Sequence, residues 1–237
     1  MFLRACILLS LLVHLVRSDK FSSSESCEDD RRGGRHSHSH SHEHNHGGRR
    51  RTRPPRVQGC GRNFTKFTRP QGEWCLGVFG TFGNPITEPQ AQEECRKHGA
   101  VLSGVQNMVE TSWSYTQALP LIYGMGKRAG TMLVALKRKP NCYTWTYTWA
   151  GCGPWTTNSF FWSDGFTTGW DGVNWGWKQP DNAGNSQDCA YMYVFEKNQH
   201  PSAQVVPLNI DDYSCVIDNG PSEMFKPFTY LCGKKPV

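Results

Sequence analysis

Ten cysteines follow or fall within a chain opening of Met1-Phe2-Leu3-Arg4 and the apolar run from Cys6 to Val13, and this pairing limits the folds open to the 237 residues. A charged start and a short greasy stretch mark a secretory signal peptide, and the run is too short to span a bilayer. The expected leader covers residues 1–18, with cleavage near Arg17 or Ser18. No later stretch is apolar for long enough to cross a membrane, so the mature chain is expected to be secreted and extracellular. Bridges persist in that oxidising compartment. Removing Cys6 leaves 10 − 1 = 9 cysteines, an odd number, so one has no partner within the chain.

The length suits one domain plus appendages, since a typical domain runs to about 100–150 residues. Residues 19–58 hold Ser, Gly and Arg with few apolar side chains, and are expected to stay disordered because they bury too little surface to offset the entropy of ordering. Within them His36, His38, His40, His42, His44 and His46 alternate with other residues, a tract suited to Zn2+ or Cu2+ because imidazole is a good ligand for both. One alternative is a soluble linker whose histidines only happen to be good ligands; another is that acidification charges the histidines and makes the segment a polycation that sticks to anionic cell surfaces. The net charge of +6 is uneven: residues 57–237 carry 15 Lys and Arg against 14 Asp and Glu, which is +1. A nearly neutral secreted domain gives no support to nucleic-acid binding.

From Cys60 onward, aromatics, glycines and short apolar runs mark a folded domain over 59–237. Thr87-Glu88-Pro89-Gln90 reads as a helix start with Thr87 as N-cap, carrying Ala91, Glu94 and Cys95 and stopping at Gly99. A second helix is expected from Val109 to Leu119, ended by Pro120. Met132 to Leu136, Cys189 to Phe195 and Phe228 to Cys232 read as strands, and residues 140–188, dense in Trp, Gly, Asn and Pro, as long loops without regular elements. Gln179-Pro180-Asp181 precedes Cys189, and Asp211-Asp212 precedes Cys215. A bridge between those two cysteines would gather amide oxygens and carboxylates where a hard cation takes roughly six to eight oxygens. Enzyme chemistry has less to stand on. His98 and His200 lack a nucleophile motif, and nothing sets the separation of Asp164, Asp171 and Asp211 for the two-acid work of a glycosidase. Asn63-Phe64-Thr65 is an acceptor for N-glycosylation.

The ordered set Trp74-Cys75, Cys95 with Gly99-Ala100-Val101-Leu102, Phe161-Trp162-Ser163-Asp164-Gly165, Trp175 before Gln179-Pro180-Asp181, and Tyr230-Leu231-Cys232 resembles the C-type lectin-like domain in its long form. The loop holding Cys142 and Cys152 looks similar to that of nematode secreted members. The resemblance implies an α+β fold of two helices on short antiparallel sheets with a long loop region. It also implies bridges Cys95–Cys232, Cys189–Cys215 and Cys60–Cys75, with Cys142 and Cys152 as natural partners. Cys27 is then the leftover, available to a disulfide-linked dimer. A further implication is calcium held by Gln179, Asp181, Gln187, Asp211 and Asp212, with Pro180 cis. The sugar site would use Gln179, Asp181, Gln187 and Asp211, with Trp170, Trp175 or Trp177 as a stacking ring, although burial is the competing role for Trp175. The amide-Pro-acid order resembles galactose-type members, so the expected function is calcium-dependent binding of glycans or glycoproteins. The alternative is a calcium-independent domain with a protein or other non-sugar partner. Two positions depart from the family pattern: Asp211 stands where an Asn is common, and Gln187 where a Glu is common. A carboxylate at 211 cannot donate a hydrogen bond to a sugar hydroxyl.

Overall fold

A computed structural model describes residues 59–143, 151–198, 204–216 and 222–237. The leader, the segment with Cys27 and the His36 to His46 tract, and His200 lie outside the described residues. Strands β1 (Thr65–Arg69), β2 (Gly72–Gly80), β3 (Val101–Leu102), β4 (Ala129–Arg138), β5 (Phe160–Trp162), β6 (Cys189–Phe195), β7 (Ile210–Tyr213) and β8 (Pro227–Lys234) form one sheet, with helices α1 (Glu88–Lys97) and α2 (Met108–Gly124). Its order is β1-β2-β8-β4-β6-β7, with β3 on β8 and β5 on β4. The β4/β8 contact is parallel, which joins the expected short antiparallel pieces into a single mixed sheet.

The period-two alternation of strand side chains divides the core in two. Met132, Val134 and Leu136 of β4 and Ala190, Met192 and Val194 of β6 face one side, where Ala118 and Ile122 of α2 pack. Leu133, Ala135, Tyr191, Tyr193 and Phe195 face the other, against Ala91 and Cys95 of α1. Both faces of β6 are therefore covered, so all seven of its residues are buried.

Helix α1 starts as its sequence dictates. The Thr87 hydroxyl accepts the Gln90 N–H while the Gln90 amide oxygen accepts the Thr87 N–H at 2.9 Å, a reciprocal cap. Helix α2 does not end at Pro120 but continues to Gly124. Ala118 and Ile122, both fully buried, lie on either side of the proline. Burying an Ile is worth about 1.5–3 kcal/mol, enough to offset most of the ~3 kcal/mol a helical proline costs. Asn107 holds the opposite end, its side-chain oxygen accepting the Val109 and Glu110 N–H groups. In the 140–188 region, expected to be loop throughout, β5 is a short exception. Phe160 and Trp162 turn inward and their backbone pairs with Leu136 to Arg138.

The base of the long-loop region is tied down by a buried polar network. Arg69 forms a bidentate pair with Glu110 at 2.9 and 2.7 Å, and also donates to the Gly104 carbonyl and the Thr167 hydroxyl. Asp164 accepts the Gly104, Phe166 and Thr167 N–H groups. The Phe161-to-Gly165 motif thus serves as a brace between β1, α2 and the loops. Bridges join Cys60 to Cys75, Cys95 to Cys232, Cys142 to Cys152 and Cys189 to Cys215. Among the described residues no helix is long and apolar enough to cross a membrane.

Candidate functional site

The Cys189–Cys215 bridge closes the end of the β6/β7 pair, and there the two aspartates part company. Ala190 pairs with Asp212 and Tyr191 with Asp211, so adjacent residues of β7 point to opposite faces of the sheet. Asp211, 6% exposed, turns to the tyrosine side, where one carboxylate oxygen accepts the Tyr193 hydroxyl. Burial, added to by the charges of Asp212 and Asp181, pushes its carboxyl up to about 7.

Asp212 is fully buried on the other face. One oxygen accepts the Asp181 N–H at 2.9 Å; the other accepts the Asn182 N–H at 2.8 Å and an Arg138 guanidinium N–H at 2.5 Å. Arg138 ends β4 with its side chain buried, its guanidinium 4.6 Å from the centre of the Phe160 ring. Its Nε donates to the Gln187 carbonyl at 3.0 Å, and Asp188 lies 3.5 Å away. Burial pushes Asp212 up to about 6 and Arg138 down, and each pulls the other back toward its charged form.

Between these anchors runs the loop from Gln179 to Asp188, in which the Gln179–Pro180 peptide is cis. Asn182 accepts the Gln187 N–H, and the Ala183 N–H is shared between Asp181 and Gln187 side-chain oxygens. Asp181 is exposed and Gln179 and Gln187 are half-buried. Trp155 sits beside them, donating its backbone N–H to the Pro180 carbonyl at 2.8 Å. Its φ of 61° is a left-handed conformation that a bulky side chain rarely adopts, and the residue is 64% exposed.

The sequence profile of C-type lectin domain-containing protein 141/158 matches residues 60–235. The chain belongs to the C-type lectin domain family. Solved structures similar to it include the cow C-type carbohydrate-recognition domain of CD23 with an oligosaccharide, at 12% identity, 76% of this chain, 98% of that chain and a TM-score of 0.46. The lectin CEL-I from Cucumaria echinata is 20% identical over 73% of this chain and 96% of that one, with a TM-score of 0.43. A calcium-independent type II antifreeze protein is 16% identical over 77% and 99%, with a TM-score of 0.44. A comparison with curated proteins returns no match. Members of this family are binding proteins, not enzymes.

Within this C-type lectin domain, the ligand set implied for calcium does not fit the ion. Of Gln179, Asp181, Gln187, Asp211 and Asp212, the first three share one loop, but Asp211 is turned through the sheet onto Tyr193. The oxygens of Asp212 are taken by two backbone N–H groups and a guanidinium. A cation of fixed charge already stands against that carboxylate, and a calcium ion there would meet Arg138 before it met enough oxygens. Among the described residues no cluster of three or more His, Cys, Asp or Glu side chains is suited to holding a metal.

The aromatic candidates also separate. Trp175 is half-buried, tilted against Phe160 at 5.2 Å with its indole N–H on the Thr157 hydroxyl at 3.1 Å, which makes it part of the wall. Trp170 stacks on Trp162, and the Lys178 ammonium lies 4.2 Å from the centre of the Trp177 ring. Among the described residues no ring stacks on Trp155. Sequence reasoning passed over both Trp155 and Arg138. Position 155 carries no spacing signal, and Arg138 closes an apolar strand where a basic residue ordinarily marks solvent.

Proposed function

We propose that this chain is a secreted carbohydrate-binding module that works without calcium, through Trp155 and the adjoining Gln179-to-Gln187 loop. The supporting observation is the open indole of Trp155, held in a strained backbone conformation against Pro180 and beside Asp181. A sugar offers an apolar face to an aromatic ring and a rim of hydroxyls. In this reading the indole takes the face, the free oxygen of Asp181 accepts from a hydroxyl, and the amide groups of Gln179 and Gln187 donate to others. The galactose-type preference implied by the amide-Pro-acid order is part of the proposal. So are an N-glycan on Asn63, exposed in the turn before β1, zinc or copper at the His36 to His46 tract, and a dimer joined through Cys27.

A glycan array probed with and without chelator tests it. Glycan signal that persists in chelator and disappears in Trp155→Ala supports the reading; signal abolished by chelator restores a calcium mechanism. A second reading, a protein partner, is favoured by a different surface. Phe82 is 99% exposed at φ 58°, beside a groove of about 930 Å³ whose walls include Phe64, Phe79, Leu121, Met125 and Tyr230. An array blank for glycans, together with a receptor interaction lost in Phe82→Asp, supports that second reading.

A further inference from the structure

We propose that Arg138 is a built-in replacement for a divalent cation: its guanidinium clamps the Gln179-to-Asp188 loop to β7 and makes the fold of this end indifferent to calcium. The inference concerns the calcium half of the preceding reading and stands whether or not the ligand is a sugar.

Two segments meet at this one side chain, and a third joins them through Asp212. From β7, Asp212 accepts a guanidinium N–H at 2.5 Å. From the end of the loop, the Gln187 carbonyl accepts the Nε–H at 3.0 Å, and the Asp188 carboxylate stands 3.5 Å away. From the start of the loop, the Asp181 and Asn182 N–H groups close onto the same Asp212 carboxylate at 2.9 and 2.8 Å. The Arg138 backbone joins in, its N–H donating to the Asp188 carbonyl at 2.8 Å. A hard cation gathers oxygens from separate segments by charge alone. A guanidinium does the same with directed N–H groups, and it cannot dissociate or be chelated. Phe160 covers its face at 4.6 Å, and the side chain is closed to solvent, so no water or free ion competes for Asp212. Removing the positive charge leaves the carboxylates of Asp212 and Asp188 facing the vacated guanidinium position with no cation between them, and an added divalent cation is the simplest replacement for it.

The experiment is thermal melting and calorimetric titration of the full secreted chain and of Arg138→Gln and Arg138→Lys, with calcium as the only added ligand. The wild-type chain is expected to melt at one temperature in chelator and at ~10 mM calcium, well above the ~0.1–1 mM range of weak extracellular sites. Arg138→Lys keeps the charge and stays indifferent. Arg138→Gln melts lower in chelator and is raised by calcium in a saturable way, its calcium midpoint falling at least about tenfold into that millimolar range. Saturable calcium binding by the wild-type chain below ~1 mM overturns the proposal, as does an Arg138→Gln variant that folds and ignores calcium. If Arg138→Gln folds at no calcium concentration, Arg138→Lys decides: folding without calcium supports the proposal and a calcium requirement overturns it. No glycan enters the assay, so its failure is distinct from failure of the sugar reading.

Discussion

Replacing Arg69 by Met tests whether the long-loop region is held by the buried pair at its base. Arg69 is 3% exposed and Glu110 1%, and their contact is bidentate, so water does little to screen either charge. Met keeps the length of the aliphatic stem but strips Glu110 of its counter-charge, leaving it only the Gln106 N–H at 2.8 Å. Breaking one side of such a pair costs about 3–5 kcal/mol, whereas replacing both sides with apolar groups is often close to neutral. For a domain of this size each kcal/mol moves Tm by roughly 2–4 °C, so the single variant is expected to melt about 6–20 °C lower. Urea unfolding of wild type, Arg69→Met, Glu110→Leu and the double variant makes a cycle. The double variant is expected to be no worse than either single, giving a coupling of at least ~2 kcal/mol. Single variants within about 1 kcal/mol of wild type, or costs that simply add, would refute the reasoning.

Asp211, carried to about 7 by burial, holds its proton more tightly folded than unfolded, where the value is about 3.9. Its stabilising protonated form is therefore fully present below about pH 4 and lost as pH rises through 7. Asp211→Asn, which still accepts from Tyr193, should gain roughly 1–3 kcal/mol over wild type at pH 8 and nothing at pH 4 in urea titrations; equal pH slopes would count against this. Opening the Cys95–Cys232 bridge, which spans 137 residues, should cost about 4–5 kcal/mol in Cys95→Ala/Cys232→Ala, read by the same titrations. A cost below ~1 kcal/mol would mean that the unfolded chain is not the state the bridge constrains. Trp155→Ala should leave Tm within about 1 °C of wild type because the ring is largely outside the core, and a large drop in Tm would reassign it to structure.

The elements written in local chemistry were readable from the sequence. Thr87 and Gln90 cap a helix through their own side chains, and the Cys189-to-Phe195 run is apolar throughout because both of its faces are covered. The extension of α2 past Pro120 was not legible, because it depends on where Ile122 lands against the sheet. The site was legible only in outline. Gln179, Asp181 and Gln187 share a loop, but the sequence spacing of Asp211 and Asp212 does not reveal that they stand on opposite faces of β7. Nor does it reveal that an arginine from β4, 74 residues earlier, reaches Asp212 first. Long-range pairing of that kind is set by the registers of β4 on β6 and of β6 on β7, strands far apart in the sequence.

In the reading proposed above, Arg138 holds the place of a cation. The most direct measurement is a crystal structure of the chain grown in millimolar calcium, with anomalous scattering used to locate any ion. Arg138 lying on Asp212, with no calcium peak beside that carboxylate, is the predicted result. A calcium ion at about 2.3–2.6 Å from Asp181 and Asp212, with the arginine displaced, would contradict it.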